Sequence, residues 1–299
     1  MAALVEAAAS GALPRLRQLL GGGVRVDARD SEGRTALMAA AAFDQADAFG
    51  LVLEAGADVH LKDDAQRTAL VYAAAGDPAL VQLLLAKGAR VNEADERGAT
   101  PLIVAAQQNS ENVPLLVGAG ADINACDAFG CTVLYFTSGA GDPEAAARVV
   151  GMLLAKGADP APANMMGQTA LHFASQEGRA AAVRLLLEAG APPNVKDRSG
   201  RVTPLYFACG NGEPGEAGEI VEMLLAKGAD PAAANSSGQT PLHIASQEGR
   251  AAIVRQLLAA GAPPGPVDAH RQTPLSMAKR QRRKDVVAIL AEALAAARG

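Results

Sequence analysis

Seven, four and three residues before each of eight glycines (Gly23, Gly56, Gly88, Gly120, Gly157, Gly190, Gly228 and Gly261) the chain is apolar, as at Val183, Leu186 and Leu187. This i, i+3, i+4 spacing puts three side chains on one stripe of a helix, and the glycine can take the left-handed conformation that closes it. Twelve residues after each glycine, thirteen after Gly190, stands a Thr followed by Ala, Pro or Val and then Leu: Thr35, Thr68, Thr100, Thr132, Thr169, Thr203, Thr240 and Thr273. A Thr hydroxyl can cap a helix, and Pro occupies the first helical position after Thr100, Thr203, Thr240 and Thr273, so each anchor predicts a helix start.

Five residues after the anchor the residue is Ala, at 40, 73, 105, 174, 208, 245 and 278, with Thr137 as the exception. Such a small side chain lets a neighbouring backbone come close. The segment from glycine to anchor carries Asp or Asn five before the Thr (six before Thr203, at Asp197) and usually Gly two before it, as in Asp30 and Gly33 or Asn164 and Gly167. That composition predicts a turn, read as a β-hairpin. A degenerate copy at the start places Leu4, Ala7 and Gly11 in register with Leu171, Ala174 and Gly178. The expectation is therefore one domain over 1–299, in units starting near 2, 35, 68, 100, 132, 169, 203, 240 and 273, the first and last acting as caps.

A helix–turn–helix with a hairpin on a period near 33 residues, carrying TPLHIA at Thr240–Ala245 and TALHFA at Thr169–Ala174, resembles the ankyrin repeat family over essentially the whole chain. The resemblance implies an all-α-type repeat solenoid, in which stacked helix–turn–helix units with β-hairpin connections are held by nearest-neighbour interfaces. It also implies that partners meet the hairpin tips and the exposed side of the first helices.

Composition narrows the chemistry. With 49% hydrophobic and 3% aromatic residues, no Trp, and Ala at more than one position in five, the core must be built from small aliphatic groups. A net charge of −5 argues against a dedicated nucleic-acid binder. No apolar run reaches the length of a membrane span, and the first residues lack the flanks of a secretory signal. The expectation is a cytoplasmic monomer, nuclear if the source is eukaryotic. For the basic group Lys279, Arg280, Arg282, Arg283 and Lys284 a solvated cap is weighed against an acidic-partner or targeting patch.

Catalytic chemistry has little to draw on. His172 and His243 stand three after an anchor Thr and suit hydrogen bonding at the junction of link and helix; His60 and His270 are isolated. Cys126 and Cys131 flank a turn, where a redox or metal role is the minor reading, and Cys209 reads as a packing residue. No phosphate-binding glycine loop is present. No cofactor and no metal is expected, and the chain is read as a non-enzyme.

The expected function is a protein-interaction module or scaffold that binds a protein or extended peptide on its hairpin and inner-helix face. The candidate contact residues are Phe129, Met165 and Met166 at the tips, with Arg97 and Arg198, and Gln107, Gln108, Gln176, Glu177, Gln247 and Glu248 along the groove. Whether Phe129 and the methionines face solvent or fold back over the hairpin is open at this level. The alternative is a regulatory or inhibitory subunit acting through two longer inter-helix loops, Ser138–Ala147 and Cys209–Gly218, which lie 71 residues apart in a duplicated block.

Overall fold

The computed structural model describes residues 2–211 and 214–297. Among the described residues eighteen α-helices follow one another in helix–turn–helix pairs. The chain divides into two compact units, Met1–Val133 and Leu134–Gly299.

In the first unit the pairs are α1 (Ala2–Ala9) with α2 (Leu13–Gly21), α3 (Ala36–Ala42) with α4 (Ala46–Glu54), α5 (Ala69–Ala73) with α6 (Pro78–Ala86), and α7 (Pro101–Gln108) with α8 (Val113–Gly118). First helices stack on first helices, α1 on α3, α3 on α5 and α5 on α7. The small positions at the seam, Ala40, Ala73 and Ala105, are fully buried. The second helices turn their stripe inward. Phe49, Val52, Val81, Leu84, Val113 and Leu116 have no exposed surface, and each such side chain contributes about 1.5–3 kcal/mol. Leu85, three before its glycine, is only half-buried, so the stripe is narrower than the sequence pattern.

The division falls at the start of α9 (Val133–Ser138). The second unit continues with α10 (Pro143–Ala155), α11 (Ala170–Gln176), α12 (Ala180–Glu188), α13 (Pro204–Gly210), α14 (Pro214–Ala226), α15 (Pro241–Glu248), α16 (Ala251–Ala259), α17 (Pro274–Arg280) and α18 (Lys284–Ala296). First helices stack from α11 to α17, and second helices from α10 to α18. Ala174, Ala208, Ala245 and Ala278 are again fully buried, and Thr137 takes the same buried place.

The anchors start helices as their chemistry dictates. The Thr68, Thr100 and Thr203 hydroxyls accept the backbone N–H three residues on, at 3.3 Å in each case. At Thr169 and Thr240 the cap is shared with a histidine, described below.

Two expectations are corrected. The links are hairpin-shaped turns without strands; among the described residues the single β pairing is an antiparallel bridge of Cys126 with Thr132. Each link is closed instead by one backbone bond from the Asp or Asn N–H, as from Asp30 to Arg34 O (3.0 Å) and Asn164 to Gln168 O (2.9 Å). The Asp or Asn side chain then takes over the donors that a ladder would use. Nor is the Ser138–Ala147 segment a long loop. Only residues 139–142 lie between helices, because Asp142 accepts the N–H groups of Glu144 and Ala145 and Pro143 opens α10. An N-cap, a first-position Pro and an acidic first turn make helix, and α10 runs 13 residues where α12 runs 9. In the Cys209–Gly218 segment α13 ends at Gly210 and the 13-residue α14 begins at Pro214, while Gly212 and Glu213 lie outside the described residues.

Candidate protein-interaction surface

Each tip is built by one side chain. Asp127 Oδ1 accepts the N–H groups of Phe129 (2.9 Å) and Cys131 (2.8 Å), which fixes the backbone of the tip. Asn164 Oδ1 does the same for Met166 and Gln168, both at 3.0 Å. Phe129 is 60% exposed on the first unit, and Met165 and Met166 are 61% and 53% exposed on the second. The question left open by the sequence is thus decided for each side chain separately: none folds back over its hairpin. Gly167 follows with φ +75°, and a Cβ there would lie 2.9 Å from the Arg198 nitrogen.

Within a unit the tips are chained by backbone bonds. In the first, Asp64 N–H donates to Glu32 O (3.1 Å), Glu96 to Ala65 O (3.0 Å) and Ala128 to Arg97 O (2.8 Å). In the second, Arg198 N–H donates to Met166 O (2.7 Å), Ser236 to Gly200 O (2.7 Å) and Ala269 to Ser237 O (2.9 Å). Arg97 and Arg198 are both exposed at these tips.

The groove amides are less uniform than the sequence suggested. Gln107 and Gln108 are exposed at the end of α7. Gln176 and Gln247 are half-buried, and each donates Nε2 to the adjacent exposed glutamate, Glu177 (3.4 Å) and Glu248 (3.3 Å). Glu248 lines a cleft of about 310 Å³ at the turn between α15 and α16. A corresponding cleft of about 260 Å³ lies over the start of α12, walled by Pro143 of α10 and by Glu216 and Glu219 of α14.

Phe43 stands eight after Thr35, in the groove register of Gln108, Glu177 and Glu248, and is not among the candidate contacts. It is 56% exposed and rims a cleft of about 370 Å³ formed by Ala2, Val5 and Ala9 of α1, Ala39 of α3, and Asp30 and Arg34 of the link. Periodicity puts it in the groove register but gives no reason for an aromatic there, since the other units carry Gly76, Ala140 or a polar residue at that position.

The histidines are structural. Thr169 N–H donates to His172 Nδ1 at 3.1 Å, so the ring proton sits on Nε2, which donates to Val202 O at 3.2 Å. His243 repeats this with Thr240 N–H (3.0 Å) and Gln272 O (3.2 Å). Burial lowers the pKa of both rings below the ordinary 6.5 and keeps them neutral. Tyr135 and Tyr206 occupy the same register and reach the next link through Gln168 and Gln239, at 3.2 Å each.

The cysteines do not meet as a pair. Cys126 bridges to Thr132 and Asp127 N–H donates to Cys131 O, and the two cysteines form no disulfide. Burial raises the pKa of the Cys209 thiol, leaving it inert. Among the described residues no three His, Cys, Asp or Glu side chains stand close enough to hold a metal ion, and no helix is long and apolar enough to cross a membrane.

The family model described as ankyrin repeats in three copies matches residues 49–127, 102–197, 146–235 and 205–297, and the single ankyrin repeat model matches 32–64. The chain belongs to the ankyrin repeat family. Among curated proteins, this ankyrin chain is similar to mouse ankyrin repeat and SOCS box protein 16, 42% identical over 106 residues, which is 33% of this chain and 22% of that protein. Protein PhlB of Serratia liquefaciens is 39% identical over 98 residues, 33% of this chain and 41% of its own length. Mouse protein phosphatase 1 regulatory subunit 27 is 40% identical over 75 residues, 25% of this chain and 46% of that protein. The ankyrin chain thus spans less than half the length of each of these relatives.

Proposed function

We propose that this ankyrin chain is a non-enzymatic protein-interaction module whose contacts are made by the link tips and the exposed ends of the first helices. The observation that carries the reading is the exposure of Phe129, Met165 and Met166. Large apolar side chains more than half open to solvent, on backbone fixed by an Asx turn, give up apolar exposure to a partner with little further loss of backbone entropy. Arg97 and Arg198 supply charged neighbours on the same chained tips, and Gln107, Gln108, Glu177 and Glu248 offer polar groups at the helix ends. The module acts in the cytoplasm as a monomer and recognises a protein or extended peptide, without nucleic acid, cofactor or metal.

The test compares affinity capture from source-cell lysate by the wild type and by Phe129→Ser and Met166→Ser variants, with thermal melts as the control for folding. Partners lost at unchanged stability support the assignment; full retention of the same partners overturns it.

A second reading, a regulatory subunit that presents the starts of α10 and α14 to an enzyme, is favoured by the added turn of each helix and by the similarity to a phosphatase regulatory subunit. Removing the added turn of α10 separates the two readings: an inhibitor of this kind loses its effect, whereas the tip-binding module keeps its partner.

A further inference from the structure

The cleft beside Phe43 opens among acidic groups. The first unit carries ten Lys and Arg against seventeen Asp and Glu, a net −7, whereas the second carries seventeen against fifteen, a net +2. Several of the first unit's cations are already engaged. Arg34 is held by Asp30 (2.9 Å), Arg67 by Asp63 (3.0 Å), and Lys62 and Arg90 both by Glu93 (2.5 and 3.2 Å). Arg29 is turned onto the carbonyls of Gly33 and Lys62.

What this leaves along the groove is one exposed carboxylate on each of three successive tips, Glu32, Asp64 and Glu96, the last beside the exposed Arg97. Glu32 keeps a loose contact with Arg34 at 3.5 Å. Asp64 and Glu96 have no ion partner among the described residues. The backbone bonds from Asp64 to Glu32 and from Glu96 to Ala65 hold the tips that bear these carboxylates in a row. The link that bears Glu32 also supplies Asp30, Ser31 and Arg34 to the wall of the cleft, and Glu6 of α1 adds a further carboxylate, so the acidic row and the cleft are one surface.

We infer that this groove takes an extended, basic segment of a partner protein, with an apolar side chain in the cleft beside Phe43 and Lys or Arg residues facing Glu32, Asp64 and Glu96. Charge complementarity selects the sign of the occupant, and the repeat selects its spacing. Stacked helices lie about 8–10 Å apart, and an extended segment in the polyproline II conformation returns to the same face every third residue after about 9 Å, so cations at every third position meet successive tips in register. The inference rests on the interaction reading above and assigns the chemistry of its partner.

The probe is a fluorescein-labelled peptide with one Leu followed by three Lys at three-residue spacing, titrated with the full chain by fluorescence polarisation at 50 and 200 mM salt. The expected result is saturable binding that weakens at higher salt, falls at least tenfold in the Glu32→Gln, Asp64→Asn, Glu96→Gln variant, and falls separately in Phe43→Ser. A peptide of the same composition with its three Lys contiguous should bind more weakly. Equal binding of the contiguous peptide or of an acidic analogue, or an undiminished signal with the triple variant, overturns the inference. The triple variant replaces exposed carboxylates only, and its melt reports folding. Capture by the Phe129 and Met166 variants reads the broader proposal independently: if those variants lose partners that the triple variant keeps, the module stands and the basic segment does not.

Discussion

The Nε2–H of His172 donates to the carbonyl oxygen of Val202 across 3.2 Å and thereby fastens the first helix of one ankyrin unit to the link of the next. On the other side of the ring, Nδ1 accepts from Thr169 at the start of its own helix. Protonating the buried ring would add a donor where a donor already points.

The pH dependence of stability follows from that geometry. Burial sets the folded pKa of His172 and His243 below 6.5, so between that folded value and 6.5 the unfolded chain binds more protons. Stability is fully present above about pH 6.5 and declines as the pH falls through the folded pKa values. Thermal melts between pH 7.5 and 5 should show this loss, and a His172→Asn, His243→Asn chain should be less stable at pH 7.5 but flatter across the range.

Truncating one histidine leaves buried groups without partners. His172→Ala strips Val202 O and Thr169 N–H together and should cost about 2 kcal/mol, read as a shift in urea midpoint. The aromatic neighbourhood adds to the loss, since the ring lies edge-on to Phe207 at 6.2 Å.

Gln66 holds the left-handed position that most links give to glycine, with φ +62°. A side chain there costs about 1–2 kcal/mol, partly offset by the greater unfolded-state freedom of glycine. Gln66→Gly should therefore stabilise the chain by about 0.5–1 kcal/mol in a denaturant titration. Gly167→Ala, which would push a Cβ to 2.9 Å from the Arg198 nitrogen, should destabilise it by more than that.

Ala174 has no exposed surface at the seam between first helices. Enlarging it to Leu should cost about 1–3 kcal/mol by overpacking, and calorimetry should show the second unit melting earlier. Asp142→Ala removes the cap of α10 and should cost about 1 kcal/mol while leaving partner capture unchanged.

The helices, their caps and the small residues between them were legible because each rests on a local rule repeated at a fixed period. Thr100 capping Ile103 and Ala105 buried at the seam are cases of it. The added turn of α10 was misread as loop because Gly, Pro and Glu were taken for their average loop preference, while Asp142-Pro143-Glu144 is a capping sequence in that order. Strand pairing was overestimated because the Asp or Asn at each link satisfies its own neighbours, a competition that composition alone does not reveal. At the candidate surface Phe129, Met165 and Met166 stood out by residue type, and their exposure needed coordinates. Phe43 falls in the groove register of the sequence, but the cleft that α1 and the first link build around it needed coordinates.

Hydrogen–deuterium exchange of the full chain with and without its captured partner tests the interaction surface most directly. Slowed exchange at residues 128–131 and 165–168 and at the ends of the first helices, with the second helices unchanged, is the predicted result. Protection confined to the starts of α10 and α14, or to the outer faces of the second helices, would contradict it.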